Sequence, residues 1–403
     1  MKLSLTALLI LSIVAASADA QALDSIVAIL KSDNAWTLAQ QKSICEIPAP
    51  PFHEQARGVE FKRRLEALGL SARVDAVGNV IAERAASGRG PTVVLSGHLD
   101  TVFPEGTDVH VTDANGRLSG PGIGDNCRGL AVVLAVARAY QRLNPSHDGR
   151  VIFVGNVGEE GPGNLRGMRH LFERELAGQI DYLVAIDGSG LSFVSRAVGS
   201  NRYKVTYKGP GGHSYGAFGI PNPIHALGRA IAGISDLRVP TSPKTTFNVG
   251  VISGGTSVNS IPFEAWMEVD MRSSNAAALA ALDARFQAAV DEAVGEENRR
   301  WSHPDMITVV KELVGDRPAG ETPASSPIVQ TAVAVGRSLG LEPGLGEGST
   351  DANLPISLNI PAITIGGGGT ASNGHALSES FDTTDSWKGT QNALLLAITL
   401  AQQ

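Results

Sequence analysis

The sequence predicts an α/β fold: an open sheet with helices on both faces, interrupted by a smaller inserted α+β domain. Three observations predict it. Segments 92–96, 151–156 and 182–186 are nearly unbroken apolar runs followed by glycine or acidic residues, the pattern of strands buried on both faces. Helical periodicities surround and alternate with them, at about 23–42, 54–69, 128–142, 165–175, 325–340 and 387–401. Between about 197 and 305 the texture changes: 202–207, 245–252 and 266–271 alternate polar and apolar residues, with helical patterns at 223–236 and 274–294. The order strand, helix, strand, strand, helix describes a compact insert at 198–305, flanked by two parts of a larger domain at 21–197 and 306–403.

Composition supports a packed core of this size. The 403 residues are 43% hydrophobic and 18% charged, which excludes disordered, collagenous and disulfide-scaffold chains. A net charge of −7 offers no cationic surface to a phosphate backbone, so no nucleic-acid partner is expected. Residues 1–20 read as a secretory leader, because Lys2 precedes an apolar run over 3–14 and Ala18-Asp19-Ala20 supplies small residues for cleavage. The run is short for a bilayer crossing, and no later segment reaches about 18 uninterrupted apolar residues. The mature chain from Gln21 is therefore expected to be soluble, periplasmic or secreted, with no membrane association after cleavage. Cys45 and Cys127 could form one disulfide there, but sequence does not show whether they meet. Two thiols cannot build a tetrathiolate zinc site, so any metal must be held by histidines and carboxylates.

The chemistry-bearing residues gather where the strands should end. His98 and Asp100 follow the 92–96 run, and alternation puts them on one side of the chain, where the carboxylate can fix the imidazole tautomer. Taken alone, the pair also fits an ordinary loop histidine. Asp125 closes a glycine-rich turn before a helix and could be nothing more than its N-cap. Glu159 and Glu160 end the 151–156 run, where two adjacent carboxylates are costly to bury unless something neutralises them. One could bind a cation while the other acts as a general base; a solvated acidic turn is the alternative. Asp187 ends the 182–186 run, and His375 follows the glycines of 366–369. Together, two imidazoles and several carboxylates match the ligand demand of two zinc ions sharing one carboxylate.

The segments SGHLDTVFPEG, GPGIGDNCRG, GEEG, AIDG and GHALSE, in this order with an insert before the last, resemble the co-catalytic zinc hydrolases. That group includes acetylornithine deacetylase, succinyl-diaminopimelate desuccinylase, carboxypeptidase G and peptidase T. The resemblance implies a zinc-exopeptidase-type sheet and an inserted lid that also makes a homodimer. It implies that His98, Asp125 and Asp187 hold one zinc and Asp125, Glu160 and His375 the other, with Co2+ or Mn2+ as alternative metals. Glu159 is then the base for a metal-bridging water, and Asp100 orients His98. By the same resemblance His213, in GPGGHS, stabilises the oxyanion of a neighbouring site, while Asn259 and Arg272 bind a substrate carboxylate. Cys127 departs from the commoner small or basic residue and is expected simply to pack. Asp351, in a segment similar to one beside the substrate pocket of relatives, could equally cap the next helix. The expected function is an exported zinc metallopeptidase acting on short peptides, as a carboxypeptidase, dipeptidase or tripeptidase-like enzyme. N-acyl amino acid deacylation is the alternative within the family, and a catalytically inactive periplasmic binding protein is the alternative outside it.

Overall fold

The structure is a computed structural model that describes residues 26–403 apart from 87, 146, 304–305 and 343. The leader expected at 1–20 lies outside the described residues. Residues up to Val194, with Pro323–Leu345 and Ile360–Gln403, form one compact unit; Ser195–Thr322 with Gly346–Asn359 form the other.

In the larger unit, the strands Thr92–His98, Arg150–Asn156, Tyr182–Ile186 and Ala362–Ile365 run parallel. Antiparallel strands Val80–Arg84 and Ala72–Val74 extend the Arg150–Asn156 edge. Successive residues of the central strands are buried, and since side chains alternate between faces, both faces must be covered. Helices Cys127–Leu143 and Trp387–Ala401 pack against Thr92–His98, and Gln55–Ala67 against the two outer strands. The sequence therefore gives the right fold class and the right central strands, although the observed sheet is mixed at its edges.

Helix Cys127–Leu143 lies very close to the sheet. At Gly129 an added Cβ would stand 2.2 Å from the Ile186 carbonyl oxygen, so only glycine permits this approach. Its cap is Asn126, whose side chain accepts the Gly129 N–H at 2.9 Å and donates to the Ile186 carbonyl at 2.8 Å. Asp125 is thus relieved of the capping role that its position before a helix allowed. Cys127, expected simply to pack, is instead bonded to Cys45, with Cα atoms 5.4 Å apart. Burial of both thiols against the end of a helix over 26–45 brings them together, a long-range contact that spacing alone could not disclose.

The second unit is an antiparallel sheet in the order Thr245–Gly254, Glu264–Ser273, Gly199–Lys208, Thr308–Arg317. Helices Pro223–Ser235 and Ala276–Arg300 pack on it around Tyr207, Met267, Met271 and Phe286. The larger domain was expected to resume near Met306, but 308–317 is the fourth strand of this sheet. That segment pairs on one side only, and its exposed, charge-interrupted sequence weakens the strand signal.

Candidate active site

The strand ends supply the site. His98 ends Thr92–His98, Asp187 follows Tyr182–Ile186, and Glu159 and Glu160 follow Arg150–Asn156, all at carboxyl ends of parallel strands. Two loops complete it, one bringing Asp125 and the other His375, 250 residues apart in sequence. Asp125 lies at the centre. Its Oδ1 is 3.1 Å from His98 Nε2 and its Oδ2 is 3.1 Å from His375 Nε2. Glu160 Oε1 is 3.4 Å from the same His375 nitrogen, and Asp187 Oδ1 is 3.8 Å from His98 Nε2. One ligand atom each from His98, Asp125 and Glu160 falls within a mutual 4.8 Å.

These atoms converge without satisfying one another. His98 Nε2, Asp125 Oδ1 and Glu160 Oε1 are buried and make no well-directed hydrogen bond, a costly condition for polar atoms. Burial, reinforced by the charge of Asp125, pushes Glu160 up to about 8. Burial opposes charge on His98, but Asp100, Asp125 and Asp187 outweigh it and hold the imidazole well above its usual value. His375 rises to about 9, chiefly through its hydrogen bond to Asp125. The cluster thus has an excess of negative charge that must be balanced by protons or by cations. Histidine and carboxylate donors facing a common point suit divalent metals of the zinc type, and the residues present fit such a group.

The neighbouring residues hold this geometry. Asp100, fully buried, was expected to orient His98 through its carboxylate. In the structure that carboxylate is 3.6 Å from His98 Nδ1, beyond a good hydrogen bond, and the main-chain carbonyl of Asp100 takes the ring nitrogen at 3.0 Å. The carboxylate instead accepts the N–H groups of Glu159 and Glu160 at 3.1 and 2.8 Å, fixing the turn that carries both glutamates. Glu159 is itself buried.

Sequence reasoning missed three contributors. Asn126 caps the helix behind Asp125. Arg57, fully buried, donates to the carbonyls of Ile47, Leu99 and Cys45, and burial lowers it to about 10 despite the nearby charge of Asp100. Glu379 accepts three backbone N–H groups of the Asp125 loop. Asn126 and Glu379 left a trace, the first within GPGIGDNCRG and the second as the last residue of GHALSE; Arg57 acts on backbone carbonyls that no motif displays.

The remaining candidates lie in the second unit. His213 is exposed on the short strand Gly212–His213, where its Nδ1 accepts the N–H groups of Tyr215 and Gly216 at 3.3 and 3.2 Å. The paired strand Ser260–Ile261 follows Asn259, whose carbonyl accepts the Ser214 N–H at 2.9 Å. Arg272 donates to Asp270 at 2.7 Å and, with Lys244, Thr246, Ser274 and Ser349, lines a cavity of about 350 Å³. Asp351 is buried, and the cap position of helix Asn353–Ser357 belongs to Ala352, so the capping alternative is not realised.

The pattern of Peptidase family M20/M25/M40 matches residues 94–398, and the chain belongs to that family. It is therefore a hydrolase of the peptidase and amidohydrolase type. Succinyl-diaminopimelate desuccinylase of Burkholderia ambifaria (strain MC40-6) is 29% identical over 262 residues, 59% of this chain and 69% of that protein. Aminopeptidase PepT from Bacillus cereus ATCC 10987 shares the fold with a TM-score of 0.74 at 20% identity, over 91% of this chain and 99% of its own. The Bacillus subtilis YXEP protein, described as a dinuclear metal binding peptidase from M20 family, does so at 0.69 and 16% identity, over 93% and 99%.

Proposed function

We propose that the chain is an exported zinc metallopeptidase that holds two cations and hydrolyses an amide bond of a short peptide. The observation that carries this reading is the convergence of His98 Nε2, Asp125 Oδ1 and Glu160 Oε1, buried and unsatisfied, on one point. In this reading His98, Asp125 and Asp187 hold one cation, Asp125, Glu160 and His375 the other, and Asp125 serves both. Such cations, when bound, supply Lewis acidity that acidifies water and polarises the amide carbonyl. The Asp100 carbonyl fixes the tautomer of His98 and leaves Nε2 to face the cation. Glu159 removes a proton as water oxygen attacks the carbonyl carbon, then delivers it to the amine nitrogen as the C–N bond breaks. His213 of one subunit donates to the oxyanion developing in a neighbouring site, and Asn259 and Arg272 hold the substrate carboxylate, for which a guanidinium fork is suited. Lys244 beside Arg272 in the same cavity adds a second cation for that role.

N-acyl amino acid deacylation is the second reading, favoured by the desuccinylase relative. A panel of dipeptides, tripeptides and N-acyl amino acids, assayed with zinc and after chelation, tests both. Zinc-dependent cleavage of a peptide supports the first, cleavage of N-acyl amino acids alone selects the second, and binding without any hydrolysis is what an inactive binding protein requires.

Export rests on the leader signals at 1–20 and is consistent with the buried Cys45–Cys127 disulfide, a bond that persists in oxidising compartments. Among the described residues no helix is long and apolar enough to cross a membrane. Amino-terminal sequencing of the periplasmic or secreted protein should begin at Gln21. Homodimerisation through the inserted domain belongs to the same proposal: its outer strand Thr245–Gly254 exposes Val251 and Ile252, and light scattering gives the subunit count.

A further inference from the structure

We propose that Glu379 is the positioning residue that sets Asp125 and His375 against each other, and so determines whether the second cation is held. This rests on the dinuclear reading of the site. Glu379 is fully buried, and among the described residues it forms no ion pair. A buried carboxylate is expensive unless its oxygens are occupied by donors. Here the donors are backbone groups of one turn: Glu379 Oε2 accepts the Gly122 N–H at 2.9 Å, and Oε1 accepts those of Gly124 and Asp125 at 2.7 and 3.0 Å. Its main chain adds a fourth tie, since its carbonyl accepts the Gly120 N–H at 3.0 Å.

The same residue is fastened to the other loop. The Glu379 N–H donates to the Ala376 carbonyl at 3.0 Å, closing the turn directly after His375. One side chain and its own peptide groups therefore join two loops that present their ligand atoms 3.1 Å apart. The turn is shaped to the carboxylate: a Cβ at Gly124 would stand 3.0 Å from Glu379 Oε1 and 2.7 Å from Ala371 Cβ. A neutral amide of the same size cannot replace the carboxylate, because its NH2 would face backbone N–H groups that need an acceptor. His98 and Asp187, attached to strand ends, do not depend on this clasp.

Two measurements test the assignment. Zinc and cobalt titrations of wild type and Glu379→Gln, followed by calorimetry and by the cobalt visible spectrum, read metal binding apart from activity. The expected result is two cations in wild type, and in Glu379→Gln both weakened through the shared Asp125, the one held with His375 the more, by about 10–100-fold, with an altered cobalt spectrum. Glu379→Asp, which keeps the charge, should recover part of the loss. Two cations bound by Glu379→Gln with wild-type affinity and spectrum overturn the role of Glu379 alone, whereas wild type that takes up no divalent metal overturns the dinuclear reading. Amide exchange in metal-free wild type covers the case of a variant that does not fold. The N–H groups of Gly122, Gly124 and Asp125 should exchange as slowly as those of the adjoining helix, and exchange at the rate of open loops removes the proposal.

Discussion

Glu159 and Glu160 are adjacent in sequence yet face different problems. Glu160 Oε1 sits with His375 and Asp125 among the candidate ligand atoms, whereas Glu159 is outside that group of three. Replacing Glu159 by Gln should therefore separate chemistry from binding. The expected outcome is a loss of turnover of about 10²–10⁴-fold at nearly unchanged metal content, while His98→Ala loses both. A Glu159→Gln enzyme with near-normal turnover removes the general-base assignment. At this scale the sequence is highly legible where function resides in side-chain type. His98, Glu160 and Asp187 stand out because acids and imidazoles at strand ends have few structural reasons to be there, whereas Asp125 and His375, on loops, join them only through the motifs that carry them, and the structure brings all five together. It is less legible where a side chain works on the backbone. Asp100 reads as a partner of an imidazole but binds two amide N–H groups, and the occupants of Arg57 and Glu379 are carbonyl and amide groups that every residue possesses.

Helix Cys127–Leu143 connects the site to the chain's long-range cross-link. It carries Asp125 and Asn126 at its start, and its first residue is bonded to Cys45 across 82 residues of chain. Closing a loop of that length reduces the freedom of the unfolded chain by an amount worth about 4.5 kcal/mol in the chain-entropy estimate. The double variant Cys45→Ala/Cys127→Ala should therefore unfold roughly 9–18 °C lower, taking 2–4 °C per kcal/mol for a domain of this size. An unchanged unfolding temperature would mean that the bond adds nothing to stability. The helix itself is legible from its apolar period, expected at 128–142 and observed one residue longer at each end. Its anchoring is not, because a disulfide is a statement about distance in space. The 165–175 periodicity fared differently: a helix over Arg166–His170 continues into a wider turn over Leu171–Glu175. Local period detects the apolar face but not the change in hydrogen-bond pitch.

Across the whole chain, the insertion was evident from the switch between buried runs and alternating strands. Its end was obscured because Thr308–Arg317 is a partly exposed outer strand close to the return. Every candidate ligand lies in one compact unit and none in the other, and this has an energetic consequence. A cation that binds only the folded state stabilises by RT ln(1 + [L]/Kd), about 2.7 kcal/mol at a hundredfold excess over Kd. That energy enters the unit holding the ligands. Zinc should accordingly raise the unfolding temperature of the larger unit and slow amide exchange in 92–100, 120–129 and 156–160, while the amides of Thr245–Gly254 and Glu264–Ser273 keep their metal-free rates. Exchange measured with and without zinc, residue by residue, decides it. Protection that appears only in the strands of the second unit would place the metal away from Asp125.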